Sequence, residues 1–365
     1  PYHRLVTEMF ISSIVLCLRN GIAIQPETLK RLEKMLEFVM AYVKPDGTVP
    51  IIGDADDGRV HILGSQGIND HRYLLSTGAV LFRRGDMKSA ASRFWEESAW
   101  LLGLDGWREY EKLETEGVIG SAAFPGGGFF FLRHKDNYVA IDCGDVGLRG
   151  RGGHGHNDAL SFDLVLDGQD IISDSGCFTY TASRELRKQF ISALAHNVTT
   201  IDSTEPSAIS GTNEQRIAHP TFIETKIIEF SIGSDADCFE GEHQGYAKLA
   251  QPVIYRRRIC LFKHISKVLI RDIFQGEGKH NIKIRFHFAQ GWRINREGHH
   301  IYLTRDDNSG RSYRLKWSEP EIEFHKGESY HSPSYGVRVP RYSASFSIHG
   351  SLPLECEFEI EQVLS

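Results

Sequence analysis

Apolar positions step by three and four along the first hundred residues, then switch to alternation for the rest of the chain. Leu29, Leu32, Leu36, Val39 and Val43 describe one stripe of a helix. Pro26 suits its first turn, and Lys44-Pro45-Asp46-Gly47 ends it. An earlier helix carries Val6, Met9, Phe10 and Ile14 and stops near Asn20-Gly21. Two more are predicted over 73–84 and 86–102, with Gly85-Asp86 supplying the break and the cap between them. Residues 1–115 therefore read as antiparallel helix pairs separated by a long loop. That arrangement suits a helical toroid, of which four helices make only a part.

From about Gly120 the period changes. Phe129-Phe130-Phe131-Leu132-Arg133 follows a glycine triplet, and 137–142 follows it in turn. Alternating or β-branched runs recur over 160–166, 197–201, 222–232, 253–262, 267–274, 281–288, 301–303, 313–317 and 342–348. Short strands parted by Gly, Asn and Asp turns, with little helix between them, predict an antiparallel β-sandwich over 116–365. The exception is 182–194, which reads as a short helix carrying Arg184, Arg187 and Phe190. The fold class is thus α+β in two domains, a partial toroid followed by a sandwich. A chain of 365 residues is long enough for both.

Composition narrows the partners. Hydrophobic content of 41% and charged content of 25% are ordinary for a globular chain. A net charge of −6 argues against a nucleic-acid surface and against general attraction to polyanions. Positive charge for an acidic ligand must then be local. No apolar run is long enough to span a bilayer, so membrane insertion is not expected. Six scattered cysteines without a Cys-x-x-Cys pair suggest neither a disulfide framework nor a cysteine zinc site. The chain begins at Pro1 with no initiator methionine and no signal-like segment, which reads as a fragment and leaves localisation unassigned.

Candidate chemistry concentrates in Arg149-Gly150-Arg151-Gly152-Gly153-His154-Gly155-His156-Asn157-Asp158, just before the 160–166 strand. Glycine lets the backbone bend and lets a ligand approach, and residues two apart on an extended segment share a face. His154 and His156 can therefore point into one cleft, although histidines of a solvated loop would look the same. Asp174, before Ser175-Gly176, and His196, before Asn197, each border an apolar run that can aim them. Two histidines and an aspartate make a reasonable zinc set. The alternatives are a turn-capping aspartate and a buried histidine bonded to backbone. The acidic loop 53–59 partly imitates a calcium loop but lacks the later bidentate glutamate, so a solvated turn is the expectation there.

Taken together, His154-Gly155-His156-Asn157-Asp158, Asp174-Ser175-Gly176 and Ala195-His196-Asn197 with Ile201-Asp202 resemble the C-terminal half of the heparinase II/III-like polysaccharide lyases. The resemblance extends to Tyr2-His3, Pro45-Asp46-Gly47, the 53–59 loop, the 241–246 run and Tyr335-Gly336. It implies cleavage of a bond to C4 of a uronic acid by β-elimination, with an acidic polysaccharide as substrate. It implies Tyr2 as catalytic acid/base with His154 as its partner, and His156, Asp174 and His196 around a structural zinc. Asn157 and Asp158 would then orient the ligands. Arg149, Arg151 and Arg187 are candidate carboxylate binders, and Tyr180 and Asp54 candidate edges of the sugar cleft. The asparagine and further histidine that these lyases place earlier in the toroid have no counterpart in this sequence. A periplasmic or secreted location would follow from such a substrate, and a homodimer is compatible with it. Two other classes stay open: a zinc-dependent glycan hydrolase, and a non-catalytic glycan-binding protein of exopolysaccharide assembly.

Overall fold

The early apolar stripes become five helices in the computed structural model, which describes residues 2–117, 119–146, 154–209, 223–305, 310–319 and 321–363. They are α1 (Tyr2–Arg19), α2 (Pro26–Tyr42), α3 (Arg72–Phe82), α4 (Gly85–Ala91) and α5 (Glu96–Lys112). They lie in a first unit made of 1–50 and 56–120. Helix α2 buries Leu32, Leu36 and Val39, as its stripe requires. Helix α1 does not follow its apolar residues. It buries Arg4, Thr7 and Glu8 beside Ile11, Ile14 and Val15, while Val6, Met9 and Phe10 are exposed. The reason is backbone satisfaction in the 58–68 loop. Arg4 donates to the carbonyls of Ile68 at 2.7 Å and Gly58 at 2.6 Å, and Glu8 accepts from the Val60 N–H at 2.5 Å.

The single helix expected over 86–102 is two. Ser92, at φ 63°, closes α4 in the left-handed region, and α5 runs on through a non-helical Gly103. Five helices do not close a ring, so a complete toroid is not present among the described residues, and the sequence predicts only part of one.

The second unit comprises residues 51–55 with 121–365, so Asp54 belongs to it despite lying within the helical part of the sequence. Its strands in chain order begin with β1 (Ala122–Phe124), β2 (Phe129–His134), β3 (Asn137–Asp142), β4 (Phe162–Leu166), β5 (Gln169–Ile172) and β6 (Thr199–Ile201). They continue with β7 (Thr225–Ile232), β8 (Ala236–Tyr246), β9 (Val253–Phe262), β10 (Lys267–Gly276), β11 (Lys279–His287) and β12 (Arg293–Glu297). The last are β13 (His300–Thr304), β14 (Ser312–Trp317), β15 (Glu323–Ser334), β16 (Val337–Ser351) and β17 (Leu354–Val363). A short helix α6 (Arg184–Ile191) interrupts them, as the sequence predicts.

Three antiparallel sheets result: β1-β2-β3-β4-β5, then β12-β13-β14-β17-β10-β9-β8-β7, then β15-β16-β11-β6. One hydrophobic core joins them, with Leu132, Ile141 and Leu164 from the first sheet, Ile259, Ile270 and Phe358 from the second, and Ile284 and Phe346 from the third. Each such side chain contributes roughly 1.5–3 kcal/mol on burial. Alternation sets the faces: β9 turns Val253, Tyr255, Arg257 and Ile259 inward. One cysteine expectation fails. Cys238 and Cys260 form a disulfide, because the β8–β9 register places them directly opposite each other across 22 residues of sequence. No helix of the described residues is long and apolar enough to cross a membrane.

Candidate active site and metal centre

The turn after β3 holds the centre of the site. His154 sits at φ 65°, a conformation that costs about 1–3 kcal/mol outside glycine and persists only where surroundings enforce it. Two contacts enforce it. The Asp54 N–H donates to the His154 carbonyl at 3.1 Å, and His154 Nδ1 lies 2.9 Å from Asp54 Oδ2. Gly53 makes the approach feasible: a Cβ there would stand 2.7 Å from the His154 carbonyl oxygen, and its φ is +53°.

Asp54 is the hub. Its Oδ1 meets His156 Nε2 at 2.9 Å, and the Arg187 guanidinium from α6 spans both oxygens. Burial works to raise the Asp54 carboxyl pKa, but His156 and Arg187 outweigh it and hold the group well below the usual range. Both residues were expected to touch sugar. With Asp54 3% and Arg187 7% exposed, they instead form a buried brace that aims the imidazoles. Arg149 and Arg151, the other two carboxylate binders expected from sequence, lie outside the described residues.

His154 itself stays reachable, with 37% of its side chain exposed. Tyr180 presents its edge to the ring at 6.3 Å. Arg187 lies over the Tyr180 ring at 5.5 Å, and Tyr335 packs against that ring in an edge arrangement at 5.0 Å. The Tyr335 hydroxyl also accepts the Tyr180 N–H at 3.1 Å. Tyr2 belongs to the helical unit, where its hydroxyl reaches Asp56 Oδ2 at 3.4 Å.

Behind the turn, ligand atoms of His156, Asp158 and His196 lie within 4.8 Å of one another. His156 Nδ1 and His196 Nε2 are buried and have no hydrogen-bond partner among the described residues. Two such orphaned imidazole nitrogens are costly unless something binds them. Asp174, expected as a ligand, is placed on the far nitrogen of His196, with Nδ1 2.6 Å from Oδ2. Its other oxygen accepts the Gly176 N–H at 2.8 Å, and Asp158 stands in the cluster in its stead.

Burial disfavours an imidazolium at His196, but Asp174 and then Asp158 outweigh it and lift its pKa to about 9. Asp142 is pushed well above the usual carboxylate range by burial and by neighbouring Asp158 and Asp174. This concentration of negative charge beside two orphan nitrogens fits a divalent cation, and a His/His/Asp donor set suits zinc.

Further residues support the site, and of these Arg341 and Arg257 carry no signal in the sequence. Asn157 donates to Glu205 at 2.5 Å and to the Ser207 carbonyl at 2.8 Å. Asn197 bonds the Phe162 carbonyl and accepts from the His287 N–H. Arg341 donates from beneath to the carbonyls of Ser173 and Asp174 and to Ser175 Oγ. Fully buried Arg257, paired with Asp272 at 2.7 and 2.8 Å, donates to the carbonyls of Leu160 and Asn197. It thereby ties together the two turns that bear His156 and His196.

Comparison with known proteins agrees with this architecture. The model of the family described as Heparinase II/III-like, C-terminal, matches residues 117–361. The chain is similar in fold to the heparan sulfate lyase HepC from Pedobacter heparinus, at 16% identity and a TM-score of 0.75, over 100% of this chain and 52% of that one. A heparinase III gene product gives 19% identity and a TM-score of 0.74 over 100% and 51%. A further structure titled heparinase III gives 15% and 0.74 over 99% and 53%. The chain thus spans about half the length of these solved structures. No curated protein matches it.

Proposed function

The chain belongs to the heparinase II/III-like family, and from that premise we propose that it is the C-terminal part of a polysaccharide lyase. Its substrate would be an acidic glycan containing uronic acid, and its five helices would be the end of an (α/α) toroid. The observation that carries the reading is His154: a part-exposed imidazole in a strained backbone position, with Nδ1 fixed by a buried carboxylate. An imidazole oriented in this way is suited to proton transfer or to stabilising developing charge. Tyr180 and Tyr335 beside it offer ring faces and edges for a sugar.

In β-elimination the C5 proton of the uronic acid leaves to a base and the C4–O bond breaks. The electron pair becomes the C4–C5 double bond, and the departing oxygen takes up a proton. In our reading Tyr2 and His154 share these transfers. The Tyr2 oxygen, as phenolate, takes the C5 proton and, as phenol, returns it to the leaving oxygen, while the imidazole lowers the cost of negative charge building on the uronate. Asp54 and Arg187 keep the imidazole aimed, and Asp174 fixes the orientation of His196.

His156, Asp158 and His196 would hold one zinc ion, which when bound supplies fixed positive charge behind the turn and stiffens it. The test is direct. The full-length protein incubated with heparosan, heparan sulfate, hyaluronan, alginate or a host exopolysaccharide should generate the absorbance of the C4–C5 double bond. Tyr2→Phe and His154→Ala should abolish it while keeping the fold. Absence of signal across the whole panel, with metal present, would overturn the reading.

A further inference from the structure

The four-stranded sheet presents a second cleft of about 680 Å³ on its polar face, within the range of small-ligand sites, roughly 300–1,000 Å³. Lys283 and Arg285 lie two apart on β11 and so share that face. Both line the cleft. Several strand cations of this unit are ion-paired: Arg256 with Glu240 and Glu242, Arg258 with Glu229 and Glu240, Arg271 with Glu357, and Lys267 and Lys316 with Glu359. Among the described residues Lys283 has no such partner, and the Arg285 side chain has one long hydrogen bond, 3.4 Å to Thr200 Oγ1.

Carboxylates are at hand yet do not pair with them. Glu205 also lines the cleft, but its oxygens are taken by Asn157, Ser192 Oγ and the Ala193 N–H. Glu321 and Glu323 stand exposed at the rim. Burial also lowers the Arg285 pKa, and the nearby Glu205 charge offsets that only in part. Asp202 and Ser203, the latter lining the cleft, form a tight turn at φ 50° and 55° that the Thr204 N–H closes on the Ile201 carbonyl at 2.9 Å.

We propose that this cleft is a second binding subsite for an acidic sugar unit, the carboxylate or sulfate of which bridges Lys283 and Arg285. The hydroxyl-bearing lining of Thr200, Ser203, Thr204 and Ser347 would meet the ring hydroxyls. The class of ligand rests on the acidic-glycan reading above, and Glu205, bonded to Asn157, is the lining residue that reaches the His154 turn. A second grip on the chain would hold a long polymer while the first site turns over.

The test is a calorimetric titration of the full-length protein with a glucuronate-containing tetrasaccharide, sulfated and unsulfated, and with inorganic sulfate alone. We expect two equivalents of tetrasaccharide to bind. A K283Q/R285Q double variant should lose one of them, its affinity falling by at least about tenfold for the lost charge-assisted contacts. It should also raise KM on polymer with kcat nearly unchanged. The single exposed-side change Lys283→Glu gives the same readout should the double variant fold poorly. A stoichiometry of one in the wild type, unchanged binding in the variants, or sulfate competing as well as the sugar would each overturn the subsite. Should the second equivalent respond to the variants while no glycan is ever eliminated, the subsite stands and the lyase reading falls.

Discussion

Asp54→Asn removes a single charge at the hub of the site. The carboxylate, 3% exposed, meets His154 and His156 at 2.9 Å each and carries both arms of Arg187, itself 7% exposed. Asparagine keeps the volume and one acceptor oxygen, but its amide turns a donor toward groups that also donate. The Arg187 guanidinium then stays buried without a counter-charge, and breaking a buried pair in this way costs about 3–5 kcal/mol.

Urea unfolding followed by tyrosine and tryptophan fluorescence, with metal chelated, should show this in the transition of the β unit. For a slope of about 3 kcal/mol/M the midpoint falls by roughly 1–1.7 M. Activity should fall by about 10²–10⁴-fold, as expected when a proton-transfer group loses its orientation. A midpoint shift below about 0.3 M with activity retained would show that Asp54 does not organise the turn, and the reasoning from the hub would fail.

Other consequences can be checked alongside. Purified full-length protein should carry about one zinc per chain by mass spectrometry of the metal, with His156→Ala and His196→Ala each reducing it to near none. A Asp174→Asn variant should bind zinc more weakly by about 10–100-fold, as loss of an orienting carboxylate does. His243 is buried among Arg257, Tyr246 and Tyr255, where burial first and Arg257 second lower its pKa from 6.5 to about 3. The unfolded chain then binds a proton that the folded one refuses, so stability should decline as pH falls from about 6.5 towards 3, and His243→Gln should flatten that decline. Asp272→Asn strands Arg257 in the core and should cost about 3–5 kcal/mol in denaturant unfolding, whereas Arg271→Gln, at a more exposed pair, should cost under about 1 kcal/mol.

What the sequence made legible follows from range. Helix α2 and strands β9 and β10 were readable because their faces are set by local periodicity and by one contiguous core. Helix α1 misled because its buried face serves the backbone of a distant loop through Arg4 and Glu8, a demand no hydrophobic stripe records. Strands β8 and β15 escaped notice because β8 is broken by Gly241 and Gly245 and β15 is mostly polar on both faces. Strand β17 alternates as plainly as β9 and is legible in the same way.

In the site, the glycine-bracketed histidines announced themselves. Asp54 stands 100 residues from His154 in the chain, so its role as their anchor needed the fold. The placement of Asp158 in the cluster and Asp174 behind His196 depends on the direction of two side chains at the ends of neighbouring turns, which spacing alone does not encode.

The central claim is elimination rather than hydrolysis, and heavy-oxygen water separates the two most directly. Full-length protein acting on a uronate-containing glycan in that solvent should release oligosaccharides that absorb as C4–C5 unsaturated uronates and contain no solvent oxygen at the cleaved bond. Saturated products carrying the heavy oxygen would contradict the account and identify a hydrolase.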